Sequence, residues 1–162
     1  MLINETVTIS LEKICVSTDF PYGEAWIPDE DENLLQLSSS YYINSGLGGK
    51  DLEQFWICSQ DFILSRGEGL PGRVWLFKQP EWIIDVTIES EGYFLRNQIA
   101  QAFGVKSGFS VPVIAQNKVL MVLAFFTTQT CFKNTKIIEI ATSKAESLGQ
   151  LLSDSNYIYN YQ

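Results

Sequence analysis

The sequence predicts an α+β fold, an antiparallel sheet with helices packed on it. Three observations carry this expectation. Two pairs of strand-like segments, one towards each end of the chain, are joined by turns and read as hairpins, which pair antiparallel. Residues 119–126 are apolar at every position, as in a strand covered on both faces near the middle of a sheet. Elsewhere apolar residues recur at three- and four-residue spacing, the period of a helix with one buried face.

Taken in order, Val7, Leu11 and Ile14 predict a first helix over about 5–17, ended by Phe20-Pro21. Residues 22–28 and 34–42 form the first hairpin around Asp29-Glu30-Asp31-Glu32-Asn33, read as a solvated acidic turn rather than a cation site. A Gly-rich loop covers 43–50. Leu52, Phe55, Trp56, Ser59, Phe62 and Ile63 are spaced for a helix over 51–64, with Asp51 as its N-cap. Pro71 suits the first turn of a short helix running to Phe77. Residues 81–86 read as a short strand and 87–92 as a polar loop. Phe94, Leu95, Ile99, Ala102 and Phe103 then fit a helix stopped by Gly104. Residues 108–115 and 119–128 form the second hairpin. A long helix over 134–152 places Ile137, Ile140, Ala141, Ala145, Leu148 and Leu152 on one face, and 157–162 is an aromatic tail. No repeat or linker interrupts the pattern. The expectation is one domain over 1–162 with its core at about 5–152.

Composition narrows the function. Nineteen acidic and eleven basic residues give a net charge of −8, which argues against nucleic acid or an anionic membrane as partner, since phosphate binding needs a basic face. The longest apolar run, eight residues, falls short of the roughly 20 that cross a bilayer as a helix. The N-terminus lacks a signal-peptide layout. Cys15, Cys58 and Cys131 are odd in number and far apart, so a reducing cytoplasm is the expected compartment. There is no His, which removes Ser-His and Cys-His nucleophile pairs and His-ligated metal sites.

Several residues are candidates for chemistry. Gly67-Glu68-Gly69-Leu70-Pro71-Gly72 matches G-x-G-x-x-G. It is read as a tight connection between helices, because Pro71 donates no N–H and Glu68 would bring a carboxylate towards a phosphate. Asp85, at the end of a strand, and Arg96, in the following helix, could converge on a pocket where the guanidinium forks onto a ligand carboxylate or phosphate; a structural ion pair is the competing reading for Arg96 and likewise for Arg73. Trp26, Trp56, Trp75 and Trp82 either line a cavity or fill core. Cys58 is read as a buried, inert thiol.

The segments Gly67-Glu-Gly-Leu-Pro-Gly-Arg-Val-Trp75, Trp82-Ile-Ile-Asp85, Phe94-x-Arg96, Val111-Pro-Val113 and Val119-Leu-Met-Val-Leu123 together resemble a GAF domain, of the kind attached to bacterial sensor histidine kinases and nucleotide cyclases. Tyr22-Gly-Glu-Ala-Trp26 and Ser147-Leu-Gly-Gln-Leu151 fit that resemblance, which covers about residues 5–152. It implies an α/β sandwich, a central antiparallel sheet of five to six strands with helices on both sides. It also implies a homodimer through the terminal helices, an output kinase or cyclase domain as partner, and a small-molecule pocket near Trp75, Asp85, Phe94, Arg96 and Phe109. A covalent bilin is not expected, because no Cys-His pair is present near 96–103. The acidic pair of the cyclic-nucleotide-binding relatives is missing after Phe132.

Three functions compete. The first is a small-molecule sensor in signal transduction, the second a ligand-free dimerisation or scaffold module, and the third a Cys-dependent free methionine sulfoxide reductase. Unclustered Cys and absent His favour a non-enzyme without cofactor or metal. An open cavity beside Arg96 and Asp85 would favour sensing; one plugged by aromatic side chains would favour the scaffold.

Overall fold

The computed structural model describes residues 3–46 and 48–155. The aromatic tail expected at 157–162 lies outside them. In chain order the elements are α1 (Ile3–Thr18), β1 (Tyr22–Pro28), β2 (Leu34–Ile43), α2 (Gly49–Ser59), β3 (Ile63–Ser65), α3 (Gly69–Phe77), β4 (Glu81–Ile83), α4 (Asn97–Phe103), β5 (Ser107–Ala115), β6 (Lys118–Thr127) and α5 (Thr135–Asp154).

The six strands form one sheet in the order β3-β2-β1-β6-β5-β4, every neighbour antiparallel. Both expected hairpins are present, and the uniformly apolar β6 lies in the interior of the sheet, between β1 and β5. The β5–β6 turn places Gln116 and Asn117 at φ 52° and 62°, the paired left-handed conformation that suits the twist of a two-residue hairpin.

Helices cover both faces, as the family resemblance implied. On one face α1 and α5 pack Val7, Leu11, Ile14, Ala141, Ala145, Leu148 and Leu152 against Ala25, Phe109, Val111, Leu123 and Phe125. On the other α2, α3 and α4 pack Leu52, Phe55, Leu70, Val74, Trp75 and Ala100 against Tyr22, Trp26, Val122, Ala124 and Phe126. The period-two alternation of the strands separates these cores. Gly149 lets α5 lie directly on the sheet, since a Cβ there would stand 2.4 Å from the Ile114 carbonyl oxygen.

Boundaries differ from expectation where local signals conflicted. The helix expected over 51–64 runs instead from Gly49 to Ser59, with Gly48 (φ 73°) at its N-cap; Asp51 lies in the first turn, where its charge suits the helix dipole. Phe62 and Ile63 continue the helical spacing on paper. The chain nevertheless turns after Ser59, and β3 pairs with β2, burying Leu64 between exposed Ile63 and Ser65. The helix expected from Phe94 starts at Asn97, and Gly104 at φ 73° stops it as expected. Asn134 caps α5, its side chain accepting from the Lys136 and Ile137 amides.

Candidate functional site

Strand β1 carries Tyr22, Glu24 and Trp26 on one face, all fully buried under α2 and α4. A carboxylate there requires a cation and further donors, because a buried unpaired charge costs far more than the fold can tolerate. Both are supplied. Tyr22 donates its hydroxyl to Glu24 Oε2 at 2.6 Å, and Trp26 donates its indole N–H to Oε1 at 3.0 Å. Arg96, at the N-cap position of α4, brings its guanidinium from the other side. Its Nη1 donates to Oε2 at 3.0 Å, and its Nη2 stands 2.7 Å from Oε1. The Nη2 contact is ionic: the N–H bonds are not aligned with that oxygen, so Nη2 keeps unused donor capacity.

Arg96 is only 2% exposed and Glu24 not at all. The guanidinium also donates from Nη1 to the Ser59 hydroxyl at 3.0 Å, which in turn donates a hydrogen bond to the Phe55 carbonyl at 2.6 Å. Four rings enclose it, with Trp26, Phe55 and Phe126 centred 5.1 Å and Phe94 5.5 Å from its central carbon. At that range each ring face attracts a desolvated cation. Burial, and next the neighbouring Glu24 charge, push the Tyr22 hydroxyl well above its ordinary pKa, so it remains a donor.

The expected site residues are only partly brought together. Phe94 and Arg96 meet as described, and buried Trp75 belongs to the same core, under the guanidinium of Arg66 at 3.9 Å. Asp85 does not converge with Arg96. Its Oδ1 accepts from the amide and hydroxyl of Thr87 and shapes the turn after β4. Phe109 points to the opposite face of the sheet, stacked between Trp82 and Phe125. The partner that sequence reasoning missed is Glu24. A signal was present: if Tyr22 and Trp26 face the core of a strand, the residue midway between them does too.

The remaining candidates have structural partners. Arg73 forks onto Glu81, Nε donating to Oε2 at 3.0 Å and Nη2 to Oε1 at 2.7 Å, and stacks on the Tyr93 ring at 3.8 Å. The G-x-G-x-x-G segment follows a strand, β3, rather than a helix as expected. It closes a tight turn in which the Gly67 amide donates to the Gly72 carbonyl at 2.8 Å. A Cβ at Gly72 would stand 2.5 Å from the Ser65 carbonyl oxygen. Trp26 and Trp75 are core, while Trp56 and Trp82 lie at its edge, stacked on Tyr41 and Phe109. Cys58 is half-buried rather than buried; Cys15 is the buried thiol, and burial pushes its pKa up strongly. Among the described residues no group of three or more His, Cys, Asp or Glu is placed to hold a metal ion, and no helix is long and apolar enough to cross a membrane.

Two surface pockets among the described residues lie elsewhere. One of about 360 Å³ is lined by Asn4, Ile9 and Ser40 between α1 and β2, and one of about 370 Å³ by Tyr41, Lys50 and Glu53 between β2 and α2. Neither reaches Arg96.

Comparison with known proteins agrees with this architecture. The sequence model of the GAF domain matches residues 2–153. Transcription factor bHLH13 of Arabidopsis thaliana is 34% identical over 62 residues, which are 38% of this chain and 10% of that protein, so the matched region spans about a tenth of that relative's length. Among solved structures, the GAF domain of a phosphoenolpyruvate-protein phosphotransferase from Coxiella burnetii superposes with a TM-score of 0.72 at 16% identity, covering 98% of this chain and 86% of that one. A domain of a putative two-component sensor histidine kinase protein from Sinorhizobium meliloti gives 0.70 at 12% identity, covering 100% and 99%. A type II free methionine-R-sulfoxide reductase from Thermoplasma acidophilum gives 0.67 at 12%, covering 94% and 96%. At such identities the likeness is one of fold.

Proposed function

The chain belongs to the GAF domain family, and from that premise we propose that it is a sensory or regulatory module of a signalling protein whose interior site is held, in the state seen here, by its own Arg96. The observation that carries this reading is the Glu24–Arg96 pair, fully buried within four aromatic rings between the sheet and α2 and α4. A neutral ligand entering there would have to strand Glu24, at about 3–5 kcal/mol for one partner of a buried pair. The module in this state therefore works without a retained small molecule, and its output passes through association. The terminal helices α1 and α5 touch each other on one face of the sheet and expose Val16 (66%) and Leu151 (54%), which suits pairing with a second copy or with a kinase or cyclase output domain.

The same reading makes it a non-enzyme of a reducing compartment. Cys15 on α1 and Cys58 on α2 lie on opposite faces of the sheet, so these two are not arranged as an attacking and a resolving thiol. Native mass spectrometry tests the proposal. The expected result is the polypeptide mass with no bound small molecule. A retained ligand would refute the self-occupied state. Turnover of free methionine sulfoxide, lost in Cys58→Ser or Cys131→Ser, would refute the non-enzyme reading.

A further inference from the structure

We propose that the Tyr22–Glu24–Trp26 face of β1 is a guanidinium-recognition site that exchanges Arg96 for a guanidinium-bearing ligand. This deepens the reading above, on which it rests, by naming the class of molecule that the site takes.

Three features point to that class. First, the carboxylate is aimed independently of Arg96. Its two other donors, Tyr22 and Trp26, come from its own strand two residues to either side, so each oxygen stays fixed when the arginine leaves. Second, one planar cation meets three groups at once: Nη1 donates to Glu24 Oε2 and to the Ser59 hydroxyl, each at 3.0 Å, while Nη2 makes an ionic contact with Oε1 at 2.7 Å. An ammonium supplies the charge from a single nitrogen and does not span these groups. Third, the ring walls favour a delocalised, weakly hydrated cation. Neutral ligands leave Glu24 uncompensated, and anions are repelled by it. Arg96 is placed to exchange. It stands at the junction between residues 84–95, which contain no helix or strand, and α4, at φ −95° and ψ 21°, outside the regular helix.

The test has two arms. In the first, Arg96→Ala is melted with methylguanidinium, methylammonium or urea at matched ionic strength. Methylguanidinium should raise the midpoint saturably by at least ~3 °C, methylammonium less, and neutral urea not at all. The gain should vanish in Glu24→Gln/Arg96→Ala. If Arg96→Ala does not fold alone, its refolding yield in methylguanidinium is the readout. No gain in either measure overturns the recognition site. In the second arm, the unaltered protein is titrated with agmatine and followed by tryptophan fluorescence. A saturable change, abolished by Glu24→Gln, supports exchange, and a flat titration overturns it. The two proposals fail separately: a retained molecule in the native mass refutes self-occupancy, whereas a flat titration of ligand-free protein refutes exchange alone.

Discussion

Glu24 and Arg96 are 72 residues apart in the chain, yet their charged groups meet at 2.7 Å with 0% and 2% of their side chains exposed. The pair joins β1 to the start of α4, and through Ser59 it ties both to α2. Its energetic meaning lies in asymmetry. Two charges have been desolvated together, so removing either leaves the other buried and alone.

Arg96→Met should therefore lower unfolding free energy by about 3–5 kcal/mol, and Glu24→Gln should be similarly severe. The double variant should cost clearly less than the sum, because neither charge is then stranded. Denaturant unfolding of the four proteins in the cycle measures this. Additive losses would show that the two groups do not act as a pair.

Stability should decline at alkaline pH. Tyr22 and Cys15 have ordinary values of 10.0 and 9.0, and burial raises both in the folded state. The unfolded chain then releases protons that the native state keeps. The contribution is fully present below about pH 9 and falls as pH rises past 9 and 10. Unfolding midpoints measured from pH 7 to 11 should drop in that window, and Cys15→Ala should flatten the early part of the fall. A curve level to pH 11 would contradict the burial of these groups.

Gly149→Ala should cost about 1–3 kcal/mol despite Ala's better helix propensity, because the added Cβ meets the Ile114 backbone 2.4 Å away and α5 must shift off the sheet. Thermal unfolding reads this directly, with exposed Ser147→Ala on the same helix as the control.

Leu148 is 2% exposed and faces the sheet, so Leu148→Glu should unfold the protein rather than report on pairing. Val16→Glu and Leu151→Glu, on exposed positions of α1 and α5, should change stability by no more than ~0.5 kcal/mol while lowering the association state in sedimentation. Unchanged mass in both variants would remove the terminal helices as an interface.

Much of the fold was legible because its signals are local. The hairpins at 22–43 and 107–127 follow from alternation and turns, and the interior place of β6 follows from eight consecutive apolar residues. Gly104 and Asn134 mark helix ends by their own chemistry. The errors arose where a local pattern fits two structures. Phe62 and Ile63 suit a helix by spacing, and only pairing with β2 makes Ile63–Ser65 a strand. The site was less legible. Phe94 and Arg96 were identified, but Asp85 was assigned a role that Glu24 holds, because sequence proximity favoured a residue eleven positions from Arg96 over one seventy-two away.

The sequence by itself determined the antiparallel sheet with its helices, the absence of histidine chemistry and the acidic balance, since each depends on residue type or short-range period. The tertiary structure decided which charge meets which. A carboxylate on β1 is committed to the core by the alternation of its strand, but the cation that neutralises it is set by how α4 packs over the sheet. That packing places Arg96 in a ring-lined space where a ligand site was expected, while the alternation of β5 turns Phe109 to the opposite face.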